Sequence, residues 1–271
     1  MKRKRKIPLV VLSDVHLGTY GCHAKELLQY LKSIQPQTLV LNGDIIDIWS
    51  FSKSYFPAAH MNVLRQIIKM SNLGTRVIYI TGNHDEALRK YSDFILGNFE
   101  LVDKLTLDLD GKKAWIFHGD IFDSSTQGFA KILAKIGGKS YDLLILINSF
   151  INWFLTILGK EKRSYSKMIK DSVKKAVSFI SNFETTAAEV AIQKKYSYVV
   201  CGHIHKPQIK EVKNEHGTVT YLNSGDWIEN LTALEYKKQK WSLYQYKKDH
   251  YNDADNNEEK VVNDIVNKIL S

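Results

Sequence analysis

The feature that most constrains this chain is the placement of polar residues at the ends of short aliphatic runs. Ile7 to Ser13, Thr38 to Leu41 and Arg76 to Thr81 are β-branched and aliphatic, and stretches of helical periodicity such as Ala24 to Ile34 separate them. This is a βαβαβ opening. Continuous apolar strands alternating with helices predict a layered α/β architecture in which polar residues at strand ends carry the chemistry.

The pattern changes from Leu105. Short strands are expected over Leu105 to Leu109 and Lys113 to Phe117, then a helical region from about 125 to 195, then strands again from Tyr198. The helical region reads as an insertion. Gln208 to Val212 and Val219 to Leu222 flank Asn214-Glu-His-Gly217 as one hairpin, and Leu231 to Tyr236 with Trp241 to Tyr246 form a second. Residues 1–249 are therefore taken as one domain carrying the insertion. Residues 250–271 read as a polar linker and an amphipathic helix with Val261, Val262, Ile265, Val266, Ile269 and Leu270 on one face. Docking on the domain, docking on a partner, and fraying all fit that helix.

Composition narrows the compartment and the partners. With 38 basic against 29 acidic residues the formal charge is +9, which favours an anionic partner: a phosphorylated small molecule, nucleic acid or anionic lipid. Cys22 and Cys201 stand far apart and in no metal-type pair, so neither a disulfide framework nor a thiolate zinc site is indicated, and a reducing cytosol is expected. The basic start, Met1 to Lys6, runs into an apolar segment too short for a signal-peptide core. A solvated tail is the simplest account of it.

Five clusters place metal-ligand side chains at strand ends: Asp14-Val-His16, Gly43-Asp44 with Asp47, Gly82-Asn83-His84-Asp85, His118-Gly-Asp120, and Gly202-His203-Ile-His205. Asp14 and His16, like His203 and His205, are two apart on what reads as extended chain, so each pair is expected to project from one face. Glycines before Asp44, Asn83 and His203 allow sharp turns and close approach. Any one fragment could be a cap, a turn or a core histidine. All five in one chain point to a metal centre.

Their order and identities resemble the calcineurin-like metallophosphoesterase family, with its pattern D-x-H, G-D-x-x-D, G-N-H-D/E, a later H, and G-H-x-H, over roughly Val10 to Trp227. The resemblance implies a four-layer α/β/β/α sandwich of two mixed sheets and a hydrolase using two divalent ions. Asp14, His16, Asp44 and His205 would hold one ion, and Asp44, Asn83, His118 and His203 the other, with Asp44 bridging. Manganese is the expected ion, with iron and zinc as alternatives. Two such cations, about 3.5–4 Å apart, activate a water for in-line attack on phosphorus and neutralise charge on its oxygens. His84 would meet the phosphoryl oxygens or the leaving group, and Asp85 would hold its tautomer. Asp47 and Asp120 have spacing suited to supporting the ligand histidines, or to turns and caps. Cys201 is expected to be a buried apolar thiol, and His23, His60, His216 and His250 to occupy surface or helix positions.

Within the family the chain is most similar to the branch containing the UDP-2,3-diacylglucosamine diphosphatases of lipid A biosynthesis. Leu41-Asn-Gly-Asp-Ile-Ile-Asp-Ile-Trp49, His118-Gly-Asp120 and the helical insertion before Gly202 carry that resemblance. It implies cleavage of the pyrophosphate to UMP and acylated glucosamine 1-phosphate beneath a lid that takes the acyl chains. Leu143 to Leu158 is apolar nearly all round and is followed by Lys160, Lys162, Arg163 and Lys167. Its sixteen residues fall short of the roughly 20 that span a bilayer, which leaves a lipid-facing helix with peripheral contact on the inner membrane face, a core helix, or a dimer interface. Where this chain has His84, the best-studied lipid A enzymes carry arginine. Other superfamily activities are the alternatives: a phosphodiesterase, a phosphatase, a nuclease, or a scaffold without catalysis. Only six arginines and an aliphatic insertion argue against a nucleic-acid surface, and the full ligand set argues against a scaffold.

Overall fold

The computed structural model describes residues 4–48, 55–122 and 165–247. The apolar run Leu143 to Leu158 and the apolar face from Val261 to Leu270 lie outside the described residues.

The opening is βαβαβ as the sequence predicts: β1 (Arg5–Leu12), α1 (Ala24–Ser33), β2 (Ile34–Asn42), α2 (Ala58–Asn72) and β3 (Arg76–Ile80). A short 3-10 helix, Glu86–Tyr91, leads to β4 (Phe94–Leu96) and β5 (Phe99–Val102), which the periodicity did not reveal. Then come β6 (Leu105–Leu109), β7 (Lys112–Ile116), α3 (Tyr165–Gln193), β8 (Tyr198–Cys201), β9 (Gln208–Asn214), β10 (Gly217–Asn223), β11 (Thr232–Lys237) and β12 (Lys240–Gln245). One sheet has the order β12-β11-β1-β2-β3-β5-β4 and the other β6-β7-β8-β10-β9. Both are mixed: β1, β2, β3 and β5 run parallel, as do β7, β8 and β10, while the outer strands pair antiparallel.

Three apolar layers account for the strand sequences. Alternate residues of each central strand point to opposite faces. Val10, Leu12, Leu39, Leu41, Val77 and Tyr79 pack with α1 and α2 through Leu27, Leu31, Val63 and Ile67. Their neighbours Leu9, Val11, Val40, Ile78 and Ile80 face Ala114, Ile116, Val200 and Leu222 of the second sheet. The other side of that sheet, with Trp115, Phe117, Val199, Cys201 and Tyr221, meets Phe183, Ala187, Ala188, Ala191 and Ile192 of α3. Helices, sheet, sheet and helix therefore form four layers, and the end of α3 supplies the fourth. Strands buried on both faces read as unbroken aliphatic runs because both sets of alternate residues are covered. Each such side chain contributes about 1.5–3 kcal/mol by leaving water.

Every cluster singled out in the sequence follows the carboxyl end of a parallel strand: β1 leads to Asp14, β2 to Asp44, β3 to Asn83, β7 to His118 and β8 to His203. Because the strands are parallel within each sheet, these ends lie along one rim, where α/β proteins place their sites.

Candidate metal centre

At the rim the backbone leaves the strand conformation. Asp14, His16, Asp44, His203 and His205 all have φ between 52° and 68°, in the left-handed region. The expectation that Asp14 with His16, and His203 with His205, converge because they lie on extended chain is therefore corrected. β1 ends at Leu12 and β8 at Cys201, and left-handed turns beyond those ends aim the side chains. Such residues cost on the order of 1–3 kcal/mol each and persist where their surroundings over-determine them. Here, Asp14 N–H donates to Gly43 O at 3.1 Å, and Val15 and His16 N–H both donate to Asp44 O at 2.9 Å. Leu17 N–H donates to Ile45 O at 2.9 Å and Trp227 N–H to Asp14 O at 3.0 Å.

The glycines make room for ligands. A Cβ on Gly43 would meet the His118 ring at 2.3 Å, one on Gly82 would meet Asp44 Oδ1 at 2.3 Å, and one on Gly202 would meet Asp14 Oδ2 at 2.6 Å.

Six of the seven expected ligands come together around Asp44, and the seventh, Asn83, stands between Gly82 and His84, which both border Asp44. Asp14, His16 and His205 offer ligand atoms within 4.8 Å of one another, as do Asp44, His118 and His203, and a third group joins His16, Asp44 and His84. His118 Nε2 lies 3.3 Å and His16 Nε2 3.9 Å from Asp44 Oδ2, while His205 Nε2 lies 3.1 Å from Asp14 Oδ1. His118 Nδ1 lies 2.9 Å from Asn42 O, which fixes the proton on Nδ1 and turns Nε2 inward as a lone-pair donor. His203 presents its backbone N–H to Asp14 Oδ2 at 3.0 Å and His84 presents its own to Asp44 Oδ1 at 2.8 Å.

Buried polar atoms normally have partners. His16 Nε2, His118 Nε2 and Asn83 Oδ1 are buried without a hydrogen-bond partner from the protein. Three ligand-type atoms left in this state at one centre are what a cation site requires, so the donor set fits divalent metal ions.

Electrostatics agree with that fit. Burial alone would raise the Asp14 carboxyl, yet the neighbouring His205 overrides it and holds it at about 2. Burial would lower His205, and Asp14 reverses this and lifts it to about 9. Asp44 is depressed and His118 raised, in each case because their mutual attraction outweighs the opposing effect of burial.

Asp85 is the residue whose expected role is corrected. Its carboxylate is fully buried and accepts from Gly82 N–H at 2.6 Å, Ile45 N–H at 2.9 Å and Tyr79 Oη at 2.5 Å, so it braces the loops of Asp44 and Asn83. The carboxylate facing the His84 ring is Asp47, whose Oδ2 lies 3.1 Å from His84 Nδ1 and 3.8 Å from His16 Nδ1. Adjacent residues in a turn point in different directions, and chain adjacency misled here. His84 is raised, because Asp47 and Asp44 together overcome the lowering effect of burial. Asp120 supports no ligand histidine directly and instead pairs with Arg89 at 2.8 Å. Cys201 is fully buried, with its thiol pushed up by burial.

Sequence reasoning missed two supports. His60 lies on α2 as expected but is buried, and its Nδ1 accepts the Gly18 N–H at 2.9 Å, steadying the chain just after His16. Asp226 is fully buried, accepts the N–H groups of Ile228, Glu229 and Asn230, and lies 4.0 Å from His205 Nδ1. Asp226 stands in the run Asn223-Ser-Gly-Asp226 at the end of β10, and an acid in a turn at a strand end was the available signal.

Over residues 7–207 the sequence matches the family described as calcineurin-like phosphoesterase. The chain belongs to that family. Its members are hydrolases acting on phosphoester bonds with divalent metal ions, and this phosphoesterase carries the residue groups to hold them. Among named relatives, a UDP-2,3-diacylglucosamine hydrolase of Vibrio vulnificus (strain YJ016) is 25% identical over 86% of this chain and 96% of its own length. One of Neisseria gonorrhoeae is 27% identical over 84% of this chain and 92% of its own. A solved archaeal phosphodiesterase aligns with a TM-score of 0.42 at 15% identity, covering 88% of this chain and 98% of that one. Among the described residues, no helix of the phosphoesterase is long and apolar enough to cross a membrane.

Proposed function

We propose that this phosphoesterase is a dinuclear hydrolase that cleaves the pyrophosphate of UDP-2,3-diacylglucosamine, releasing UMP and acylated glucosamine 1-phosphate. The observation that carries the dinuclear reading is the pair of ligand groups meeting at Asp44, with His16 Nε2, His118 Nε2 and Asn83 Oδ1 buried and unpartnered between them. Asp14, His16, Asp44 and His205 would hold one ion, and Asp44, Asn83, His118 and His203 the other. Imidazole, carboxylate and amide oxygen together suit manganese. When bound, such a pair supplies Lewis-acid charge and an activated water for in-line displacement at phosphorus.

The remaining work falls to the protein. His84 and His205 are rings at the open side of the centre, with side chains 38% and 37% exposed while Asp14 and Asp44 are buried, and of the two only His84 is outside the ligand set. Asp47 fixes its Nδ1 side, which leaves Nε2 to face a phosphoryl oxygen or leaving group. A raised His84 keeps a proton available there, so it stabilises developing charge or donates to the departing oxygen.

The lipid substrate rests on the names of the relatives and on their near full-length coverage. That reading places the protein in the cytoplasm, working at the inner membrane face. A second reading, a phosphodiesterase with another substrate, is favoured by His84 standing where the lipid A enzymes carry arginine. The test is hydrolysis of UDP-2,3-diacylglucosamine with added manganese, with bis-p-nitrophenyl phosphate as a generic diester. Release of UMP and the acylated sugar phosphate is expected. Turnover of the generic diester alone removes the lipid assignment and leaves the metal chemistry standing.

A further inference from the structure

Arg89 lies outside the ligand set, yet its side chain ties the two sheets together beside one half of it. It sits on the 3-10 helix just after Asn83. Its Nη2 donates to Asp120 Oδ2 at 2.8 Å, and its Nε lies 2.8 Å from Asp103 Oδ1 and 3.3 Å from Thr81 Oγ1. Thr81 Oγ1 donates in turn to Asp103 Oδ1 at 3.1 Å. Thr81 and Asp103 flank the ends of β3 and β5 in the first sheet, whereas Asp120 follows His118 at the end of β7 in the second.

We propose that Arg89 is a positioning residue for the ion assigned to Asp44, Asn83, His118 and His203, fixing Asn83 relative to His118 without touching ion or substrate. The inference rests on the two-ion reading above. His118 is anchored independently through Asn42 O, and Asp44 through the backbone N–H of His84. Asn83 Oδ1 has no protein partner, so only its loop places it. Asp85 holds that loop from the Gly82 side and Arg89 from the far side. A guanidinium spans two carboxylates with separate nitrogens, which a lysine point charge cannot do. Apart from the shared Asp44, the other ion's ligands have anchors away from this clamp: Asp14 receives the N–H of Trp227 on its carbonyl, and His205 Nε2 lies 3.1 Å from its carboxylate.

The experiment titrates manganese into chelator-stripped wild type, Arg89→Met, Asp120→Asn, the double variant and Arg89→Lys, followed by calorimetry and by electron paramagnetic resonance of the bound ions. Wild type is expected to take up two ions and show the spectrum of a coupled pair. Arg89→Met and Asp120→Asn keep the first ion and bind the second about tenfold or more weakly, the range usual for partners behind ligands, with the isolated-ion spectrum in its place. Because the contact altered by Asp120→Asn is already lost in Arg89→Met, the double variant is no weaker than Arg89→Met alone, and Arg89→Lys recovers part of the loss. Equal weakening of both ions, an unchanged second ion, or additive losses in the double variant would overturn the proposal. If Arg89→Met does not fold, Asp120→Asn removes the charge from the same contact with a side chain of equal size. A wild type that binds fewer than two ions defeats the two-ion reading itself, an outcome separate from two ions bound with no effect of the clamp.

Discussion

The layer between the two sheets and the rim where those sheets end are built from consecutive residues of the same strands, yet they obey opposite rules. Between the sheets, Leu9, Val11, Val40, Ile78 and Val200 meet one another as apolar side chains on regular strands. A few residues further on, Asp14, Asp44 and His203 are in left-handed backbone, and Asp14 and Asp44 are buried carboxylates facing histidines. The apolar layer holds the strand ends at fixed separation, and that fixed separation is what sustains a rim of strained, charged residues. Stability is concentrated in the one and chemistry in the other.

Substitutions should separate the two regions cleanly. The largest effect is expected from Asp44→Asn: metal content falls at both positions and turnover drops below detection, measured by elemental analysis and phosphodiester hydrolysis. His84→Ala should lower turnover by about 10²–10⁴-fold, the usual contribution of a positioned acid or base, while metal content stays at the wild-type level; equal metal loss in the two variants would break the division of roles. In the core, Ile78→Ala should cost about 2–5 kcal/mol in urea unfolding and leave activity per folded molecule unchanged. Asp85→Asn should sharpen the boundary, since it puts an NH2 group in place of one of the two buried oxygens that serve three donors: about 1–3 kcal/mol of stability with kcat altered far less than in His84→Ala.

The smallest expected effect is a pH dependence confined to the rim. In metal-free protein His205 is raised from 6.5 to about 9, so its contribution to stability is complete below 6.5 and lost as pH rises through 9. Asp14, lowered from 3.8 to about 2, contributes above 3.8 and loses its contribution as pH falls through 2. The melting temperature of the chelator-treated protein should therefore fall from pH 6.5 to 9. Manganese affinity should rise over the same interval, because the ion competes with the His205 proton. A melting temperature flat across that interval would detach the Asp14–His205 pair from the comparison.

The strand ends and the candidate ligands Asp14, His16, Asp44, His118, His203 and His205 that gather beyond them were legible in the sequence, because parallel strands buried on both faces leave a plain aliphatic signature and stop at polar residues. What could not be read was direction. Asp85 follows His84 in the chain but turns to the Gly82, Ile45 and Tyr79 donors, and Asp47, thirty-seven positions before His84, takes its place. Arg89 lies on the 3-10 helix after β3 and Asp120 follows β7 of the second sheet, so no local pattern links them. β4 and β5 escaped notice because β4, Phe94–Leu96, is short and exposed on all three residues, with no alternation to detect. Nor does periodicity distinguish a helix that projects from one that packs: α3 reads as part of the insertion, but from Phe183 onward it covers the second sheet.

The pairing of β1 with β11 bears on how the chain is made. Leu9 lies opposite Tyr236 and Val11 opposite Leu234, so β1, once it leaves the ribosome, finds one of its neighbours only after more than two hundred further residues. Its other neighbour, β2, arrives early. A nascent βαβ unit can thus collapse while one flank of β1 stays bare, and the Trp227 contact to Asp14 closes only after Trp227 has emerged. Ribosome-bound chains arrested before Thr232 should hold α1 and α2 yet expose that flank to chaperones, and competence to capture metal should arise abruptly once β11 has emerged.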